Sequence, residues 1–91
     1  MGKLDGKVAL ITGAGTGIGR CAAMMFAEEG AELVIAGRRQ APLDDVVAEI
    51  SASGGKITAK TTDMEVQDDV EGLAAYALEK HGRIDILVNN A

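Results

Sequence analysis

Between positions 12 and 19 the chain reads TGAGTGIG, so Gly13, Gly15, Gly17 and Gly19 place four glycines within seven residues. Glycine opens backbone angles closed to other residues, and its missing Cβ lets a ligand approach the main chain closely. Apolar positions on a helical period begin at Ile18, so a helix is expected to start there with its unpaired N–H groups facing the turn. That end carries roughly half a positive charge. A helix terminus aimed over bare backbone makes a phosphate site. A tight turn without a ligand would use the same residues. The phosphate reading is preferred because the turn follows the first strand of a βαβ unit, where such sites are built. The spacing is T-G-x-x-x-G-x-G through Thr12, Gly13, Gly17 and Gly19, since Ile18 rules out G-x-G-x-x-G from Gly13.

A second group follows the second apolar run, in IAGRRQ. A dinucleotide site that reads a free ribose typically places an acid there, accepting from the 2′-hydroxyl. Here Gly37 holds that place and Arg38 follows. A guanidinium binds a 2′-phosphate through charge-assisted hydrogen bonds, worth about 1.5–3 kcal/mol, or roughly ten- to a hundredfold in affinity. NADP(H) is therefore the expected cofactor, with NAD(H) the second choice. The bland alternative makes Arg38 and Arg39 solvated loop residues; Arg39 either stacks over adenine or faces water. Asp63 ends the third strand and could cap the following helix, as Asp does. Asn89 and Asn90 could close the fourth strand by bonding to neighbouring backbone. Arg20, in the first turn of the first helix, is read as solvated rather than phosphate-binding.

Other chemistry-bearing residues are given structural roles. Cys21 falls among the apolar positions of the first helix and is expected to be a small buried hydrophobe. His81 precedes Gly82 at a helix end, where a partly charged imidazole suits the dipole, with no evident catalytic or metal partner. Asp44, Asp45, Asp68 and Asp69 are expected in first helical turns, and no metal site is read. Tyr76 and Lys80 spell Y-x-x-x-K but are read as a surface helix pair.

These residues need elements to hold them, and the sequence alternates two patterns. Strands are expected at Lys7–Thr12, Leu33–Ala36, Lys56–Thr62 and Ile84–Asn89. The third is polar, as an edge strand would be. Helix faces are expected at Ile18, Cys21, Ala22, Met25 and Phe26; at Leu43, Val46, Val47 and Ile50; and at Val70, Leu73, Ala74, Ala77 and Leu78. Gly30, Gly54-Gly55 and Gly82 mark their ends, and Pro42 suits a first helical turn. The order βαβαβαβ predicts an α/β, Rossmann-type three-layer fold with a parallel sheet ordered 3-2-1-4, the first half of a doubly wound sheet. All candidate ligand groups then fall at the carboxyl ends of strands, on one rim.

The chain has 91 residues, 47% hydrophobic and 25% charged, with a net charge of −5. This is one small domain, burying about 60–65% of the surface its unfolded form exposes. No general basic surface serves nucleic acid, no apolar run approaches a membrane span, and no signal-peptide pattern opens the chain. A single cysteine excludes an internal disulfide or a cysteine metal cluster and makes a cytoplasmic setting the default.

The glycine pattern from Thr12 to Gly19, Asp63, and the NNA of Asn89–Ala91 together resemble the short-chain dehydrogenase/reductase family over Lys3–Ala91. Within it the general look is that of 3-oxoacyl-acyl-carrier-protein reductases and glucose dehydrogenases. The resemblance implies that Gly13, Thr16, Gly17, Ile18 and Gly19 surround the cofactor phosphates. It further implies that Asp63 accepts from the adenine amino group, that Met64 offers its backbone, and that Asn89, Asn90 and Ala91 line the ribose on the nicotinamide side. Thr16 stands where some members carry a basic residue. The implied activity is hydride transfer between nicotinamide and a small carbonyl or alcohol substrate, in a homo-oligomer. The family's catalytic serine, tyrosine and lysine lie beyond Asn89–Ala91, so no catalytic residue is assigned and the 91 residues alone are expected to be inactive. The apolar run at the chain's end leads us to expect the cofactor-binding front half of a longer sheet. The alternative is a non-catalytic nucleotide-binding or regulatory fragment. A methyltransferase on a similar sheet would want an acid where Arg38 stands.

Overall fold

All five residues of Val8–Thr12 are buried, so this strand must be covered on both faces, as a central parallel strand is. A computed structural model of the chain describes residues 2–15 and 17–90. In chain order it contains β1 (Val8–Thr12), α1 (Gly17–Glu28), β2 (Glu32–Gly37), α2 (Gln40–Ala52), β3 (Ile57–Thr61), α3 (Gln67–His81) and β4 (Ile86–Val88). The sheet runs β3-β2-β1-β4 with every pair parallel. Ile11 stands opposite Ile35 of β2 and Val88 of β4.

Alternate residues of a strand face opposite sides of a sheet, and two cores result. Ala9, Ile11, Leu33 and Ile35 pack with Ala23 of α1 and with Leu43, Val46 and Ile50 of α2. Val8, Leu10, Val34 and Ala36 pack with Leu73 and Ala77 of α3. β3 is the half-buried edge that its polar sequence predicts.

The inner face of α1 differs from the expected one. Ile18 is 77% and Met25 66% exposed, and Cys21 is exposed rather than buried. The buried positions are Gly19 and Ala23, with Ala22 and Phe26 partly packed. Close approach is the reason: a Cβ on Gly19 would lie 2.1 Å from the Gly13 carbonyl oxygen. The helix meets the sheet most closely through its smallest residues, with Met24 and Phe26 partly packed at the side while Ile18 and Met25 turn outward. Asp44 and Asp45 also lie beyond the first turn of α2, whereas Asp68 and Asp69 do occupy that of α3.

β4 is three residues long, shorter than its apolar run, and Leu87 is 64% exposed. Asp85, just before β4, and Thr12 of β1 fix its two ends. The Asp85 N–H donates to the Val8 carbonyl at 2.8 Å, and the Asp85 carboxylate accepts from the Val8 N–H at 2.9 Å. At the other end the Thr12 hydroxyl, on a residue 1% exposed, accepts from the Asn90 N–H at 3.0 Å. That hydroxyl also lies 3.0 Å from Asn89 Oδ1 and 3.4 Å from the Val88 carbonyl.

Candidate nucleotide site

Parallel strands bring their carboxyl ends to one rim, and the glycine turn sits there. Gly13 has φ +64°, the left-handed region that favours glycine. The next residue ties the turn to the neighbouring strand, the Ala14 N–H donating to the Ala36 carbonyl at 3.2 Å. α1 begins at Gly17 and is held against the turn by the Gly13–Gly19 contact. Ile18 occupies the exposed first turn of α1. The expected roles of Thr16 and Ala91 lie outside the described residues.

Beside the turn opens a cavity of about 550 Å³, within the range of small-molecule and cofactor sites. The turn contributes Gly13 and Gly15; the end of β2, Gly37, Arg38 and Arg39; α2, Pro42 and Leu43; and the segment after β3, Thr62, Met64 and Glu65. The fold thus joins three of the four expected groups around one space. Gly17, Ile18, Gly19 and Asp63, also expected at the site, are not among the lining residues, and neither are Asn89 and Asn90, which connect to the turn through Thr12.

Polar contacts brace the cavity. The Thr62 N–H donates to the Gly37 carbonyl at 2.8 Å, prolonging the β2–β3 ladder. Arg38 Nη2 reaches Glu65 Oε2 at 2.9 Å and Asp63 Oδ1 at 3.5 Å. Asp63 Oδ1 also accepts from the Glu65 N–H at 3.0 Å, while Asp69 Oδ2 accepts from the Asp63 N–H at 2.9 Å. Asp63 therefore caps the short turn before α3, whose N-cap residue is Val66. Arg39 is exposed and is the N-cap residue of α2.

Other candidates are accounted for elsewhere. Arg20 pairs with Glu49 on the surface. His81 has partners that its neighbours in sequence do not reveal: Nε2 lies 3.1 Å from Thr58 Oγ1, and Nδ1 3.4 Å from Glu32 Oε2. Burial pushes the Glu32 carboxyl up, but hydrogen bonds from His81 and Lys56 outweigh it and hold the group below the ordinary range. The Tyr76 hydroxyl donates to the Ala59 carbonyl at 3.4 Å, and the Lys80 ammonium sits 5.9 Å from the Tyr76 ring centre. This pair lies along β3 rather than at the cavity. No group of three or more metal-ligating side chains occurs among the described residues, and no described helix is long and apolar enough to cross a membrane.

The sequence reading missed Glu65 because its partner, Arg38, is 27 residues away. Only the adjacency of β2 and β3 brings the two together. Dinucleotide chemistry fits the observed surface: glycine backbone at the turn, a cavity of suitable size beside it and Arg38 in the cavity lining.

Comparison with known proteins places these features in context. The short chain dehydrogenase family profile matches residues 7–91. The 7alpha-hydroxysteroid dehydrogenase of Escherichia coli (strain K12) is 44% identical over 89 residues, covering 98% of this chain and 35% of that enzyme. A metagenomic short-chain oxidoreductase solved in complex with NADP superposes with TM-score 0.93 at 39% identity, over 98% of this chain and 40% of its own. A short-chain dehydrogenase/reductase from Burkholderia phymatum solved with NAD gives TM-score 0.91 at 39% identity, over 96% of this chain and 31% of its own. The chain spans between about a third and two fifths of the length of these relatives.

Proposed function

The chain belongs to the short-chain dehydrogenase family, and on that premise we propose that it forms the nucleotide-binding front of an NADP(H)-dependent oxidoreductase. In the whole protein, hydride passes between nicotinamide and the carbon of a small carbonyl or alcohol substrate; the cofactor, when bound, supplies that hydride chemistry. These residues bind and orient it. Gly13, Thr16, Gly17, Ile18 and Gly19 take the pyrophosphate against the helix terminus. Asp63 and Met64 take adenine, with Arg39 stacking over it, while Asn89, Asn90 and Ala91 take the nicotinamide-side ribose. No residue of the 91 is assigned to work on the substrate carbon, so the chain by itself binds without turnover. The enzyme is assigned to the cytoplasm and to a homo-oligomer.

The single observation carrying the cofactor choice is Arg38 at the cavity rim, at the end of β2, with no acid on β2's last residue, Gly37. Solved relatives hold NADP in one case and NAD in another, so the preference rests on this side chain. Arg38→Ala is expected to lower the NADPH-to-NADH affinity ratio by roughly ten- to a hundredfold. Paired titrations of the two reduced cofactors measure it, and an unchanged ratio would remove Arg38 from the assignment.

A further inference from the structure

Arg38 is not waiting with a bare guanidinium. Its Nη2 is already shared by two carboxylates, Glu65 at 2.9 Å and Asp63 at 3.5 Å. Glu65 is itself held, because its N–H donates to Asp63 Oδ1 at 3.0 Å. The two acids and the arginine therefore form one small cluster beyond the ends of β2 and β3, with Arg38 and Glu65 lining the cavity. Asp63 has a place in the adenine reading; Glu65 has none.

We propose that Glu65 is a positioning residue for cofactor discrimination, a carboxylate latch that occupies Arg38 until a 2′-phosphate displaces it. The inference rests on the reading of Arg38 as the 2′-phosphate contact. Relative strengths allow the exchange. The Arg38–Glu65 pair is open to water, with side chains 64% and 81% exposed, and such pairs are weak. A phosphate monoester brings close to two negative charges and three acceptor oxygens, so it outcompetes a single carboxylate for the guanidinium. With an unphosphorylated ribose the latch stays closed and Arg38 remains neutralised. NAD(H) brings no phosphate to exchange and leaves the pair as it is. Glu65 sets how steep the preference is, and Arg38 sets its direction.

The test uses the 91-residue chain and two probes differing only in the 2′-phosphate, adenosine 2′,5′-bisphosphate and adenosine 5′-monophosphate, titrated by NMR. Glu65→Gln keeps the shape of the side chain and removes its charge. It is expected to tighten the bisphosphate by about 1.5- to fivefold while leaving the monophosphate unchanged, and the gain should shrink in high salt. In the Arg38→Ala background the same substitution should change neither probe. A gain of equal size in that background would overturn the latch, since Glu65 would then repel the ligand directly. Equal weakening of both probes by Glu65→Gln would also overturn it, as a structural effect. An unchanged ratio in Glu65→Gln, with a lowered ratio in Arg38→Ala, would sink the latch and leave the phosphate reading standing. An unchanged ratio in Arg38→Ala would remove both.

Discussion

A methyl group on Gly19 would sit 2.1 Å from one carbonyl oxygen and 2.9 Å from the Ala14 Cα. Both neighbours are backbone, so neither can swing away. Gly19→Ala is expected to cost about 1–3 kcal/mol by overpacking, measured by urea denaturation. It should also lose nucleotide binding where the fold survives, because relief of the contact moves the turn away from the helix terminus. Thr12 offers a complementary test. Its buried hydroxyl accepts the Asn90 N–H, and Thr12→Val leaves that donor without its acceptor at a cost of about 1–3 kcal/mol. The glycine turn and the place of Arg38 just after β2 could be read from the sequence because each depends on neighbours along the chain. Glu65 and the partners of His81 could not, since each depends on a neighbour brought in by the sheet, and Cys21 is exposed together with Ile18 and Met25, on the side of α1 turned away from the sheet.

At the scale of elements, the alternation of apolar runs with helical patterns was enough to predict four parallel strands, and the dinucleotide-type glycine turn after the first of them supplied their order. What it could not supply was which side of α1 faces inward. Periodicity weights large apolar residues, and here Gly19 and Ala23 make the contact. It also overestimated β4, because only Ile86–Val88 pair with β1 before Asp85 and Thr12 take over as clamps. The Asp85 clamp carries a pH signature. The Arg83 guanidinium, then the Val8 N–H, hold its carboxyl below the usual range. A group whose folded pKa is depressed adds stability above its unfolded value, about 3.9 for Asp, and loses it as pH falls through the folded value. Asp85→Asn keeps an acceptor for Val8 but cannot titrate. Stability of this variant is expected to fall less steeply than that of the parent below about pH 4, in acid titrations followed by circular dichroism.

The whole molecule carries a net charge of −5 yet leaves several large apolar side chains in water. Leu87 and Leu78 are 64% and 51% exposed, and β4 forms one edge of the sheet. An apolar strand edge is a template for pairing with another chain. The 91 residues alone are expected to self-associate as concentration rises in sedimentation velocity, and Leu87→Lys should reduce that tendency. A parent chain that stays monomeric throughout would refute this expectation. The central claim, however, concerns the opposite end of the strands: main-chain amides at the glycine turn and the Arg38 guanidinium receive the phosphates of one dinucleotide. Its most direct test is an amide chemical-shift map of the folded chain titrated with NADPH. The account predicts perturbations concentrated at Gly13–Gly19, Arg38 and Asp63–Glu65. Saturable binding that leaves those amides unmoved, or no binding by a chain shown to be folded, would contradict it.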